Sequence, residues 1–147
     1  MGQFNFRNRK EFANKLMTLE VHHGGEGSVY NDHQSLAIKK FNEKEVNIAR
    51  KERKVRKLIR QFKTMGLDEV VFPLSPVTVS GHFVGYTMKY VKDAVDLDRI
   101  AEETFMGKRD LKDNLRLVIK IAQTVEKIHK MGMVIGDFHP GQVLVSN

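Results

Sequence analysis

Segments that alternate apolar and polar side chains come early in this chain and helical repeats dominate its end, an order that constrains the fold more than any composition figure. Ser28 to Asn31 and Ser35 to Phe41 read as strands joined by a polar turn at Asp32-His33-Gln34. Asn42 then stands as a helix cap, with Glu43 and Glu45 in the first turn complementing the positive end of the helix dipole. The helix is expected to run to about Met65 and stop near Gly66. Its apolar face carries Ile48, Val55, Ile59 and Phe62. Pro73 and Pro76 break up the entry to a second pair, Val77 to Ser80 and His82 to Val91, around a turn at Ser80-Gly81. Ala94 to Met106 is expected to contain a short helix. Leu111 to Met131 is a longer one, with Leu115, Val118, Ile121, Ala122, Val125 and Ile128 as its stripe and Gly132 as its stop. Ahead of all this, Arg7 to Leu19 reads as a short amphipathic helix. Strands that pair first, with helices after them, make the class α+β rather than alternating α/β.

At 147 residues the chain is long enough for a real core, and 41% hydrophobic with 29% charged residues are globular values. No run approaches the roughly 18 apolar residues that span a bilayer. Arg7, Arg9, Lys10 and Glu11 interrupt the stretch a secretory leader would need, so no membrane association is expected. With no cysteine, disulfides and thiolate metal sites are excluded, and a cytoplasmic location is the expectation. The formal charge of +7 is concentrated: from Lys39 to Lys63 there are eleven Lys and Arg against Glu43, Glu45 and Glu52. A solvated helix face accounts for this more simply than nucleic acid does. No aromatic side chain interleaves between Lys44 and Arg60 to stack bases, so nucleic acid is not the expected partner.

Three segments carry chemistry. Gly24-Gly25-Glu26-Gly27-Ser28-Val29-Tyr30 is glycine-rich, and glycine lets a backbone approach a phosphate and turn its amides toward it. Alone, that stretch is a plain turn between two strands. It gains meaning because Val29-Tyr30 opens a strand and a lysine-bearing strand, Leu36-Ala37-Ile38-Lys39, comes next. By alternation Ala37, Lys39 and Phe41 point to one side and Leu36, Ile38 and Lys40 to the other. Lys39 thus shares an apolar face and needs anionic partners, whereas Lys40 is an ordinary solvated charge. Glu52, between Ile48 and Val55 on the next helix, is the expected carboxylate partner of Lys39, with Glu45 as runner-up. The third segment is Gly136-Asp137-Phe138-His139-Pro140-Gly141-Gln142-Val143-Leu144-Val145. An aspartate in such a turn can accept a hydroxyl proton and orient the oxygen for in-line attack. His139 serves equally as a turn residue before Pro140, and His129 as a packing residue. No zinc spacing, serine elbow or Walker A sequence is present.

In this order the segments resemble the protein kinase superfamily from about Leu19 to Val145, and more narrowly bacterial and phage Ser/Thr kinase-like proteins. Phe72-Pro73-Leu74 and Val84-Gly85-Tyr86-Thr87-Met88 join the resemblance. It implies a protein kinase-like fold: a five-stranded antiparallel sheet with one main helix over 19–91, then a hinge and a helical second lobe over 92–147, cut short after the catalytic loop. Residues 1–18 would be a helical N-terminal extension. It also implies Mg-ATP and phosphate transfer to a Ser or Thr hydroxyl. Gly24, Gly25, Gly27 and Val29 would form the flap over the phosphates, and Lys39 with Glu52 would hold them. Ala37 and Met88 would line the adenine pocket, with Lys89 and Val91 offering hinge main-chain groups. Asp137 would be the catalytic base and Gln142 the amide ligand of the metal.

The pattern departs from the family at three points. His22 stands at the first flap glycine, Gln142 replaces an asparagine, and no Asp-Phe-Gly segment follows Val145. Transfer by these residues alone is therefore expected to be weak or absent, and part of the Leu111 to Met131 helix is expected to show an apolar patch where a protein substrate or partner could sit. An inert nucleotide- or partner-binding module is the alternative, and a basic nucleic-acid-binding domain the third. The spatial expectation behind the kinase reading is that Lys39 and Asp137 converge on one nucleotide cleft.

Overall fold

A computed structural model describes residues 4–33, 35–42, 46–62 and 67–146 of the chain. The chain divides into two compact units, residues 1–92 and 93–147. The first is built on a six-stranded mixed sheet in the order β1-β5-β6-β4-β3-β2. Its strands are β1 (Phe4–Phe6), β2 (Glu20–Gly24), β3 (Gly27–Asn31), β4 (Leu36–Phe41), β5 (Pro73–Val79) and β6 (His82–Lys89). Helix α1 (Arg9–Met17) follows β1, and α2 (Ile48–Phe62) connects β4 to β5. The architecture is α+β.

The expected sheet had five antiparallel strands. Five of the six, β2 to β6, pair antiparallel with one another, and the sixth, β1, runs parallel along β5 with Phe4, Asn5 and Phe6 opposite Val77, Thr78 and Val79. This edge is pinned by polar bonds: Thr78 Oγ1 donates to Asn5 Oδ1 at 2.7 Å and Ser80 N to Phe6 O at 2.9 Å. Residues 4–17, expected as an extension, are therefore part of the first unit. Phe12 and Leu16 of α1 are buried with Ile38, Val77 and Val79 on one side of the sheet, and Phe4, Phe6, Leu19, Tyr30 and Val84 pack around them. The opposite side is covered by α2, whose Val55 is buried with Phe41 and Phe83 against Ile48, Ile59 and Tyr86. Ile38 and Phe41 fall in different clusters, as alternation along β4 requires.

Local chemistry sets the joints. Asn8 caps α1 by accepting from Glu11 N at 2.9 Å. Ser80 and Gly81 both have positive φ, 50° and 78°, the backbone a two-residue hairpin turn needs. Pro73 and Pro76 lie inside β5 rather than before it, because β1 borders β5 only at Val77–Val79 and the prolines sit on an open edge. The β5–β6 register shifts between Val77 and Thr78, whose partners are Gly85 and Phe83. That bulge turns Val84 toward the α1 side while Phe83 and Tyr86 both face α2.

The second unit contains α3 (Leu97–Phe105), α4 (Leu111–Lys130), a 3-10 turn at Pro140–Gln142 and a two-residue strand pair, β7 (Val95–Asp96) with β8 (Leu144–Val145). Asp96 caps α3 by accepting from Arg99 N at 2.9 Å, and Asp110 caps α4. Gly107 and Gly132, at φ 69° and 73°, follow the two helices. Ile100 and Ile128 are buried. Of the stripe read on α4, Ile128 is buried and Ile121 and Val125 half-buried, while Leu115, Val118 and Ala122 are exposed, as are Leu111 and Ile119, so part of this helix shows the apolar patch expected of it. Among the described residues no helix is long and apolar enough to cross a membrane. The cap pattern expected at Asn42-Glu43-Glu45, the helix stop near Met65-Gly66, and Gln34 of the expected turn lie wholly or partly outside the described residues.

Candidate functional site

Strand register fixes which of the candidate residues meet. In β3–β4 Val29 lies opposite Lys39, and in β4–β6 Lys39 lies opposite Tyr86 and Ala37 opposite Met88. Directly opposed residues in antiparallel strands share a face, and so do residues two apart on one strand. Val29, Ala37, Lys39 and Met88 therefore occupy one face across three adjacent strands, the face on which α2 packs at Phe41 and at Tyr86, the cross-strand neighbour of Lys39. Ala37 is 2% exposed and Lys39 half-buried. Lys40 is half-buried too, not the solvated charge expected. It turns to the other side and lines a hollow of about 540 Å³ that runs round the end of the sheet, from Arg9 and Leu16 of α1 to Phe41, Phe83 and Ile48. None of the nucleotide candidates lines that hollow.

The glycine turn is fastened rather than loose. Asn42 Nδ2 donates to Gly25 O at 2.9 Å and Asn42 N to Glu26 O at 3.2 Å. Lys51 of α2 pairs with Glu26 at 3.2 Å and lies 4.8 Å from the centroid of the Phe41 ring. Burial pushes the Tyr86 phenol above its ordinary 10.0, with Glu26 adding to the push and Lys51 opposing it. The turn's glycines do different jobs. A Cβ on Gly27 would meet Lys40 O at 2.1 Å, whereas one on Gly25 would meet nothing within 4 Å. His22, where the resemblance puts a glycine, sits opposite Val29 with Nε2 3.5 Å from Glu20.

Glu52 does not join Lys39. Arg56, one turn along α2, donates Nε to Glu52 Oε1 at 2.8 Å and brings Nη2 to 2.8 Å as well, and among the described residues no ion pair joins Glu52 to Lys39. The local i,i+4 partner wins because both side chains already lie on one helix surface. The runner-up, Glu45, lies outside the described residues. At the expected hinge, Tyr90 N donates to Ser35 O at 3.0 Å, just past the Leu36–Lys89 pair that ends the ladder, and Val91 is half-buried beyond it.

In the second unit Asp137 is exposed, in the turn that precedes Pro140–Gln142. His139 leads into the 3-10 turn in extended conformation, and Gln142 N donates to His139 O at 3.0 Å. A Cβ on Gly141 would meet the His139 ring at 3.2 Å and Asp98 Oδ2 at 3.8 Å, so this loop packs closely against the start of α3. Gln142 is exposed. Among the described residues no group of three or more His, Asp or Glu could hold a metal ion, and no step below is routed through one. His129, at the end of α4, is exposed rather than packed.

No protein-family model matches this chain, and no curated protein matches it.

Proposed function

We propose that the first unit binds ATP on the sheet face of Lys39 and that the chain is a Ser/Thr protein kinase-like protein. One observation carries the reading: Val29, Ala37, Lys39 and Met88 are cross-strand neighbours on a single face, with the β2–β3 glycine turn at the Phe41 end of that face. Ala37 contributes little bulk, and Val29 and Met88 bring apolar flanks suited to a flat base. Lys39 offers three donors and a charge to phosphate oxygens, and the turn's amides offer more. Met88 precedes the main-chain groups of Lys89 and Val91 that a base edge would use. Five strands in antiparallel succession, with one helix between β4 and β5, fit the sheet the resemblance implies. In phosphate transfer Asp137 would accept the proton of the attacking Ser or Thr hydroxyl.

Thermal-shift titration with ATP tests the binding. Stabilisation is expected for the native chain, to be lost in Lys39→Ala and kept in Lys40→Ala, whose side chain leaves by the opposite face. Equal effects of the two variants, or no response to ATP, would refute the assignment. Asp137→Asn should leave the shift intact and abolish any phosphate transfer.

The inert nucleotide-binding alternative is favoured by Glu52, which is held by Arg56 rather than Lys39. It expects ATP to stabilise the chain equally with and without Mg2+ and no autophosphorylation under either condition.

A further inference from the structure

Helix α2 carries seven cations and one carboxylate over Ile48–Phe62. Two of the cations are engaged: Lys51 turns to Glu26 and Arg56 to Glu52. The other five, Arg50, Arg53, Lys54, Lys57 and Arg60, are exposed, and among the described residues none takes part in an ion pair. At about 100° per residue, Arg50, Arg53, Lys57 and Arg60 fall within an arc of about 80° opposite buried Val55, and they extend about 15 Å along the axis. Lys54 flanks them. Beside the row lies a hollow of about 200 Å³ formed by Arg56, Ile59, Arg60 and Pro76. Arg56 is held by Glu52, which leaves the Arg60 guanidinium at this rim for a phosphate, an anion that arginine binds through paired donors.

We propose that this outward face of α2 binds double-stranded nucleic acid through its phosphates. A protein partner needs an apolar or aromatic centre to its interface, and this face presents none. A single strand would need stacking side chains, which are also missing from it. A duplex asks only for spaced cations, and a row about 15 Å long can meet several of its phosphates. The apolar side of α2 is packed on the sheet, so only its cationic side is offered to a duplex. That side carries charges suited to phosphates, and binding through phosphates is indifferent to sequence.

Fluorescence anisotropy with a labelled duplex and the full chain, without nucleotide, tests this across about 25 to 200 mM salt. The expected plot of log Kobs against log[salt] has a slope of about −4. The double variant Arg53→Gln/Lys57→Gln should flatten the slope by about 2 and weaken binding more than about tenfold at the lower salt. Both positions are exposed, so urea unfolding should be unchanged. Lys112→Gln/Lys120→Gln, on exposed positions of α4, should bind as the native chain does. No binding at the lowest salt, or an unchanged slope in the α2 variant, would overturn the proposal. So would displacement of the duplex by a polyglutamate peptide or phosphatidylserine vesicles at lower charge concentration, which would assign the face to an acidic protein or a membrane surface.

Discussion

Alanine at Gly27 and at Gly25 separates a glycine the fold needs from one a ligand would need. At Gly27 the new Cβ would lie 2.1 Å from Lys40 O and 2.9 Å from Phe41 Cα, and ordinary contact begins at 3.4 Å, so β3 and β4 must part by roughly 1.3 Å at that point. Overpacking of this kind costs about 1–3 kcal/mol, and a weakened ladder bond adds about 1. Gly27→Ala should therefore unfold in urea with a free energy lower by about 3 kcal/mol. Gly25 has nothing within 4 Å of its Cβ direction and no positive φ. Its alanine variant should stay within about 0.5 kcal/mol of the native chain. If the turn's amides hold a phosphate, the added methyl should still weaken ATP by about 1.5 kcal/mol, roughly tenfold in Kd. Urea unfolding and an ATP titration on the same two proteins give the answer. A Gly27→Ala protein as stable as the native chain would refute the steric argument. A Gly25→Ala protein that binds ATP unchanged would remove the turn from the site.

Two further outcomes are expected. Val77 is 0% exposed in the cluster under α1, so Val77→Ala should lower the unfolding free energy by about 2–3 kcal/mol, whereas Val46→Ala, at a residue 92% exposed, should change it by less than about 0.5, both read by urea titration. The Tyr86 phenol has a folded pKa above its unfolded 10.0, so the folded state holds that proton longer and its contribution to stability, complete below pH 10, declines as pH rises through the folded value. Tyr86→Phe should remove that alkaline decline from a plot of unfolding free energy against pH, and an unchanged plot would refute it.

What could be read from the sequence followed local chemistry. The Ser80-Gly81 hairpin, the α4 stop at Gly132 and the alternation of β4 rest on neighbours in the chain, and the residues themselves specify them. Hairpin turns account for the β3–β4 and β5–β6 registers, but no turn joins β4 to β6, so the sequence brought Met88 together with Val29, Ala37 and Lys39 only through the resemblance. β1 could not be foreseen: three residues, Phe4–Phe6, pair in parallel with a strand over seventy positions away, and their only signal is Phe at alternate places. The bulge at Val84 is equally silent, since Val-Gly-Tyr reads as unbroken strand until β5 is laid beside it. Glu52 was misjudged because its position between Ile48 and Val55 fixes a helix face but not a partner, and Arg56 was nearer. Lys40 was misjudged for a similar reason: alternation gives the side of a strand but not the depth of what α1 builds over it.

The fastening of the glycine turn has a consequence for any molecule that enters beneath it. A pair with one exposed partner, such as Lys51–Glu26, holds the turn by about 0.5 kcal/mol, and two Asn42 bonds by about 1 kcal/mol each. If these bonds alone held the turn, roughly one molecule in seventy would have it raised at equilibrium. A ligand that requires the raised form would then bind about seventyfold more weakly than its intrinsic affinity. Lys51, 4.8 Å from the Phe41 ring, ties this fastening directly to the face that Lys39 shares.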